Sequence, residues 1–269
     1  RERFGLDRPL HEQLFIYVKG IVTLDLGWSY RQNQSVASLI WQRLPATLLL
    51  TGTAFCIALL CGILMGALAA ARVGKWTDTL ITALALVFYA TPLFWIALMA
   101  ILLFSVYLGW LPGFGMVTVG AGHSGLAYIG DIAAHLVLPA VTLGLFYMAV
   151  YARMTRASML EVMEMDYVKT AKAKGVAPGR ITRRHVLRNA LLPVITLAGI
   201  QAGQMIGGAV LTETVFAWPG IGRLMFDALL QRDYNLLLGI FFVSSAMVVL
   251  FNLITDLVYT FVDPRIEVA

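Results

Sequence analysis

Residues Asp166 to Pro193 read DYVKTAKAKGVAPGRITRRHVLRNALLP, the one long polar segment in an otherwise apolar chain. It opens with a helical pattern over Tyr167 to Lys174. Gly175 follows, where a helix ending in the left-handed conformation takes a residue without a Cβ. Pro178-Gly179 marks a turn, and the pattern predicts a second basic helix from near Arg180 that runs into an apolar span, with Pro193 near its entry. Lys169, Lys172, Lys174, Arg180, Arg183, Arg184 and Arg188 stand here against a single acid, Asp166. In a membrane protein a loop of this charge faces the cytoplasm. Val168, Ala171 and Gly175 fall at i, i+3 and i+7 and give a small docking face. A solvated loop that only sets topology is the plainer alternative. The segment is far longer than a minimal helix–helix connection, and long connections with structure of their own tend to be functional.

The composition around this segment fixes the class. Of 269 residues, 59% are hydrophobic and 13% charged, and the mean hydropathy is +0.80. Soluble domains carry about 25% charged residues, so the chain reads as an all-α integral membrane protein. The net charge of +5 is concentrated where orientation signals belong and does not point to nucleic acid. Cys56 and Cys61 lie inside an apolar span and read as small hydrophobes, with no metal-ligand spacing and no disulfide framework. The chain opens on Arg1 with a polar stretch and no signal peptide.

Five spans are predicted, with short amphipathic helices between them. Leu10, Leu14, Tyr17 and Val18 make a helical stripe before the first. Span one covers Pro45 to Ala71, with Pro45 in the first turn, where its missing N–H costs nothing. Its Gly62 and Gly66 form a GxxxG pair that favours close helix packing, against the alternative of small residues facing lipid. Span two, Thr79 to Leu108, is kinked at Thr91-Pro92. Span three, Ile132 to Ala157, carries Pro139 and, at its outer edge, His135, read as structural or interfacial. Span four, Leu191 to Phe216, is the most polar, with Thr196, Gln201, Gln204, Thr212, Glu213 and several glycines. Polar groups are costly in lipid, so Gln201, Gln204, Thr212 and Glu213 are candidates for a translocation lining. Interhelical hydrogen bonding is the alternative for the glutamines. Glu213, near the outer end, has solvation or loop capping as its alternatives. Span five covers Leu236 to Val262.

Several of these stretches resemble a known family. Asp166-Tyr167 through Ala171, Lys174-Gly175, His185 through Asn189 and Leu191-Leu192-Pro193 resemble the "EAA" coupling loop of ABC-importer permeases, closest to the dipeptide/oligopeptide/nickel type. Lys169-Thr170-Ala171 stands where Glu-Ala-Ala gives the motif its name, as in the peptide-type branch. GLDRPL, DLGWS, RLPATL, TETVFAWPGIGRL and the terminal Asp263-Pro264-Arg265 are similar to that branch as well.

The resemblance implies a coupling helix seated on a cytoplasmic ATPase subunit. Asp166, Tyr167, Thr170, Ala171, Lys174, Gly175, Val176, His185, Arg188 and Asn189 would form that contact. It implies an outer loop at Trp218, Pro219 and Gly220. Residues 1–44 would be an extracytoplasmic segment following a first span that is absent from this sequence. Residues 45–269 would be the permease domain, with coupling loop 158–190, completing five of six core helices. The implied partners are a second homologous permease, two ATPase subunits carrying ATP-Mg, an extracytoplasmic substrate-binding protein and the lipid of a bacterial inner membrane. No metal and no cofactor is implied in this chain.

The sequence offers no enzyme reading. It lacks a phosphate-cradling Gly-Lys-Ser/Thr loop, a GxSxG and an HExxH arrangement, and its four His residues are scattered. An ion-coupled secondary transporter is disfavoured because the span centres carry no acid, Lys or Arg. The expected function is an ATP-driven permease for di- or oligopeptides, with nickel complexes or glutathione as alternative cargo.

Overall fold

Ser35 decides where the first long helix starts. Its hydroxyl accepts the Ser38 amide at 3.3 Å, the usual way to satisfy an orphaned first-turn donor. The helix it caps, α1, runs Val36–Ala71. It therefore begins well before the expected Pro45, which lies inside the helix rather than in its first turn. The cause is the cap, which precedes the continuous apolar run. Before α1, β1 (Trp28–Ser29) pairs antiparallel with β2 (Gln34–Ser35), Trp28 opposite Ser35. These are the only strands among the described residues. The computed structural model describes residues 25–262 continuously, together with residues 9, 11, 12, 19, 20 and 23. The expected amphipathic helix over Leu10 to Val18 and the Asp263-Pro264-Arg265 tail lie outside the described residues.

After α1 come α2 (Trp76–Ala90) and α3 (Leu93–Ala100), the latter continued by a π-helix over Ile101–Tyr107. The kink expected at Thr91-Pro92 is a bend of 103° between the pair. Pro92 has no N–H for the Phe88 carbonyl, and its ring excludes a continuous helix. Helix α4 spans Gly125–Met163, longer at both ends than the expected Ile132 to Ala157. The short α5 is Asp166–Ala173. A helical turn at Pro178–Arg180 leads through a π-helix, Ile181–Leu187, into α6, Arg188–Val215. The expected second basic helix is thus present, but wound as π through its basic part. Helix α7 is Ile221–Gln231 and α8 is Tyr234–Val262. Four helical stretches are long and apolar enough to cross a membrane, and the bent α2–α3 pair makes a fifth if counted as one span.

Glycine sets the tightest helix contacts. A Cβ on Gly62 would come within 2.6 Å of Tyr151 Cβ, and one on Gly66 equally close to Thr155 Cβ. Real Cβ atoms are not found so close, so α1 lies directly on the backbone of α4 only because these positions have no side chain. This is the small-residue packing expected from the GxxxG pair. Gly199 does the same for α6 against α8, where a Cβ would overlap Thr255.

Helix α1 has 36 residues and so is about 54 Å long. Separate apolar clusters cover its two ends. At its start, Val36, Leu39, Ile40 and Leu44 pack on Ile221, Leu224, Leu236 and Ile240, joining α1, α7 and α8. At its far end, Ala70 joins Met159, Val162, Val168, Ala171, Ile181, Val186 and Ala190. One end of the bundle therefore holds the α7 turn, and the other holds the basic loop. His135, expected at an interface, is buried, with Nδ1 2.9 Å from the Asp131 carbonyl oxygen. Asp131 in turn accepts the Thr118 amide and hydroxyl, each at 2.7 Å. His135 is a packing residue that helps seat the 109–124 loop on α4.

Candidate functional site

The basic loop is built on a helix C-cap. Gly175 has φ +75°, in the left-handed region. Its amide donates to the Lys172 carbonyl at 3.0 Å, and the Val176 amide donates to the Ala171 carbonyl at 3.2 Å. These two bonds are the Schellman arrangement. They stop α5 after Ala173, turn the chain back and leave Val176 packed against the apolar cluster beneath. At the other end of α5, Lys169 Nζ lies 3.0 Å from Asp166 Oδ1, and Thr170 Oγ1 donates to the Asp166 carbonyl at 2.9 Å.

The apolar residues of α5 point inward. Val168 is fully buried and Ala171 nearly so, both against Met159 and Val162 of α4 and Ile181 and Val186 of the π segment. This corrects the expectation that Val168 and Ala171 offer a docking face. A two-residue apolar stripe on so short a helix is consumed by the chain's own core. What α5 exposes is Asp166, Tyr167, Lys169, Thr170, Lys172, Lys174 and Gly175.

A hydrogen-bond triangle binds the loop's two arms. Tyr167 Oη donates to the His185 carbonyl at 3.2 Å, and Asn189 Nδ2 donates to Tyr167 Oη at 2.6 Å and to the same carbonyl at 3.1 Å. Tyr167, His185 and Asn189, far apart in sequence, thus meet at one point. Arg188 is exposed beside them. Of the ten residues expected at the loop contact, the structure gathers Tyr167, His185 and Asn189 into that triangle and Thr170, Ala171, Lys174, Gly175 and Val176 into the cap of α5.

A clamp that the sequence does not announce ties this end together. Arg156 of α4 grips Asp78 of α2 through two bonds, Nε to Oδ1 at 2.6 Å and Nη2 to Oδ2 at 2.9 Å. The Gly74 amide adds a donor to Asp78 Oδ2 at 3.1 Å. Bidentate Arg–carboxylate pairs fix geometry as well as charge. The available signal is Asp78 itself, an acid in the first turn of an apolar helix, which needs a partner.

The polar residues of α6 divide. Gln204 is exposed; Gln201 is half-buried, with Oε1 enclosed and without a partner. Thr212 and Glu213 are buried, which corrects their expected placement on a path. The Glu213 carboxylate accepts Thr47 Oγ1 at 2.7 Å and the Arg223 amide at 3.0 Å, and Thr47 Oγ1 accepts the Ile221 amide at 2.8 Å. Glu213 therefore latches the start of α7 to α1. Trp218 is wholly buried and donates its indole N–H to the Ala46 carbonyl at 2.8 Å. Gly220 lies against the Glu213 carboxylate where any Cβ would collide. The turn at Trp218, Pro219 and Gly220 is packed into the bundle and does not reach outward. Polar lining and an outer loop were the expectation here because burial of a hydrogen-bonded carboxylate leaves no periodicity to read. Among the described residues no group of His, Cys, Asp and Glu is placed to hold a metal ion.

Comparison with known proteins places this arrangement. The family model described as "Binding-protein-dependent transport system inner membrane component" matches residues 62–268. The chain is 42% identical over 280 residues to the dipeptide transport system permease protein DppB of Alkalihalophilus pseudofirmus, covering 99% of this chain and 84% of that protein. It is 40% identical to the di/tripeptide transport system permease protein DppB of Pseudomonas aeruginosa, with 98% and 83% covered. The dipeptide transport system permease protein DppB of Escherichia coli K12 is also 40% identical, again with 98% and 83% covered. Among solved structures, an inward-facing form of the MetNI methionine ABC transporter superposes with TM-score 0.66 at 19% identity, over 84% of this chain and 96% of that one. An amino acid ABC transporter solved with histidines gives 0.59 at 18% identity, over 82% and 93%. At such identities the structural likeness speaks for the fold alone.

Proposed function

The chain belongs to the family of binding-protein-dependent transport system inner membrane components, and from that premise we propose that it forms the path for short peptides across a bacterial inner membrane. As a member it is a multi-pass permease subunit of an ABC importer and not an enzyme; it works with permease and ATPase subunits. The observation that carries the peptide cargo is the roughly 40% identity, over nearly the whole chain, to permeases of dipeptide and di/tripeptide systems.

In this reading two ATPase subunits bind and hydrolyse ATP-Mg, a second homologous permease completes the path, and an extracytoplasmic binding protein delivers the peptide. The exposed face of α5 meets an ATPase subunit on the cytoplasmic side. Force applied there reaches α4 through Val168 and Ala171, and α6 through the Tyr167–His185–Asn189 triangle. A helix so short has no stability of its own, so it moves only with the elements it is pinned to. Burial of Val168 and Ala171 supports a rigid push rather than a flexible tether. The Asp78–Arg156 clamp keeps α2 in the same moving body. Gln201 and Gln204 remain the lining candidates on α6, as polar side chains with hydrogen-bonding capacity unspent in the chain.

The test is reconstitution of the four-component importer in proteoliposomes with its binding protein. The expected result is ATP-dependent uptake of a radiolabelled dipeptide that stops when either ATPase or binding protein is omitted. Uptake driven by an ion gradient without ATPase would overturn the reading.

A further inference from the structure

One cation inside the bundle has no anion. Arg153 lies on α4 ten residues before the helix ends at Met163, about 15 Å along the axis. Its Nε is enclosed and without a hydrogen-bond partner. Among the described residues no carboxylate pairs with it, whereas Arg156, one turn nearer the end, has Asp78. The Arg153 guanidinium stands 4.3 Å over the ring of Tyr89. Tyr89 also stacks on Phe146, centroids 5.5 Å apart, and Phe146 meets Tyr147 edge-on at 5.3 Å. A cation–π contact holds a guanidinium in place but leaves its charge uncompensated.

These rings wall a cleft of 310 Å³ at the α2–α3 break, closed by Thr91, Pro92 and Leu143. The break supplies the opposite polarity. Pro92 has no N–H to give the Phe88 carbonyl, and among the described residues no backbone bond crosses the turn to the carbonyls of Tyr89 or Ala90. The C-terminal end of a helix carries partial negative charge. One cleft thus joins unspent carbonyls, aromatic walls and, behind Tyr89, an unpaired guanidinium. Phe146 and Arg153 are seven residues apart on one face of α4, about 10 Å, and an extended dipeptide spans about 7 Å.

We propose that this cleft is a subsite for a short zwitterionic peptide in transit. The carbonyls at the α2 end take its ammonium, the rings of Tyr89, Phe146 and Tyr147 take a side chain, and Arg153 takes the terminal carboxylate. The proposal rests on the peptide-importer reading and deepens it. A lipid phosphate would be met at a helix end, where the nearer arginine is already paired, and it would leave the carbonyls without a donor.

The test is calorimetric titration of the purified importer, without binding protein, with alanyl-alanine and with alanyl-alanine amide. The wild type should bind the free acid at least about tenfold more tightly, the effect of one charge-assisted contact. Arg153→Gln should abolish the preference and Arg153→Lys should keep part of it, with complex assembly checked by size exclusion. Tyr89→Leu should weaken both ligands together. Equal affinity of the wild type for acid and amide, or an unchanged preference in Arg153→Gln, overturns the proposal. Loss of assembly in Arg153→Gln with full preference retained in Arg153→Leu assigns the guanidinium to a partner subunit and overturns it too. Uptake in proteoliposomes separates the two readings. A wild type that carries no peptide sinks the importer reading, whereas peptide uptake with no acid preference in the titration sinks only the subsite.

Discussion

Replacing Gly175 perturbs the loop through backbone alone. An ideal Cβ at this position meets nothing within 4 Å, so no side-chain clash contributes. Its φ of +75° remains, and an L-residue in that conformation costs roughly 1–2 kcal/mol. Asparagine tolerates it best and a β-branched residue worst. The strain falls on two bonds, Gly175 N to Lys172 O and Val176 N to Ala171 O. At about 1.4 kcal/mol per factor of ten, alanine should deplete the capped form about 5- to 30-fold, with valine beyond that. The assay pairs hydrogen exchange at the Val176 amide with ATP-driven uptake by the reconstituted importer. Both protection and uptake should fall in the order Gly, Asn, Ala, Val, while exchange in the buried part of α4 stays unchanged. Uptake at the wild-type level in Gly175→Val, with the Val176 amide deprotected, would refute the claim that the cap positions the coupling helix. Unchanged protection would refute the strain argument itself.

Glu213→Ala strips acceptors from Thr47 Oγ1 and the Arg223 amide and opens a void. It should cost about 3 kcal/mol, with Glu213→Gln nearer 1 kcal/mol, read as loss of detergent-solubilised complex on heating. Gly66→Leu forces α1 off α4 and should destabilise by about 1–3 kcal/mol; Gly52→Leu, with open space around it, should leave the same thermal scan unmoved. Asp78→Asn and Arg156→Gln should each lower the thermal midpoint, and the double variant should lose less than the two losses added, the sign of direct coupling.

The long helices are legible because an uninterrupted apolar run of 20 or so residues matches the thickness of a bilayer and little else. Gly62 and Gly66 announce the α1–α4 contact through their spacing, and the cap at Gly175 is legible because left-handed backbone selects glycine. Whatever depends on partners distant in the chain stays hidden. Val168 and Ala171 read as an outward face because periodicity reports that a stripe exists, not which neighbour takes it. Glu213 reads as lining because nothing local marks Thr47 and Arg223 as its donors. The 103° turn at Pro92 exceeds a kink because a proline fixes that a helix breaks, not the angle at which it resumes. Ser35 does not stand out as a cap, since the apolar run becomes continuous only after Pro45.

The claim that the exposed side of α5 seats on an ATPase subunit is tested by cysteine cross-linking in the assembled importer, with Cys56 and Cys61 replaced. Lys174→Cys should join the ATPase subunit through a short thiol cross-linker, in a yield that changes when ATP is added. Arg232→Cys, at the opposite end of the bundle, should not. A cross-link from position 232 with none from 174 would contradict the account.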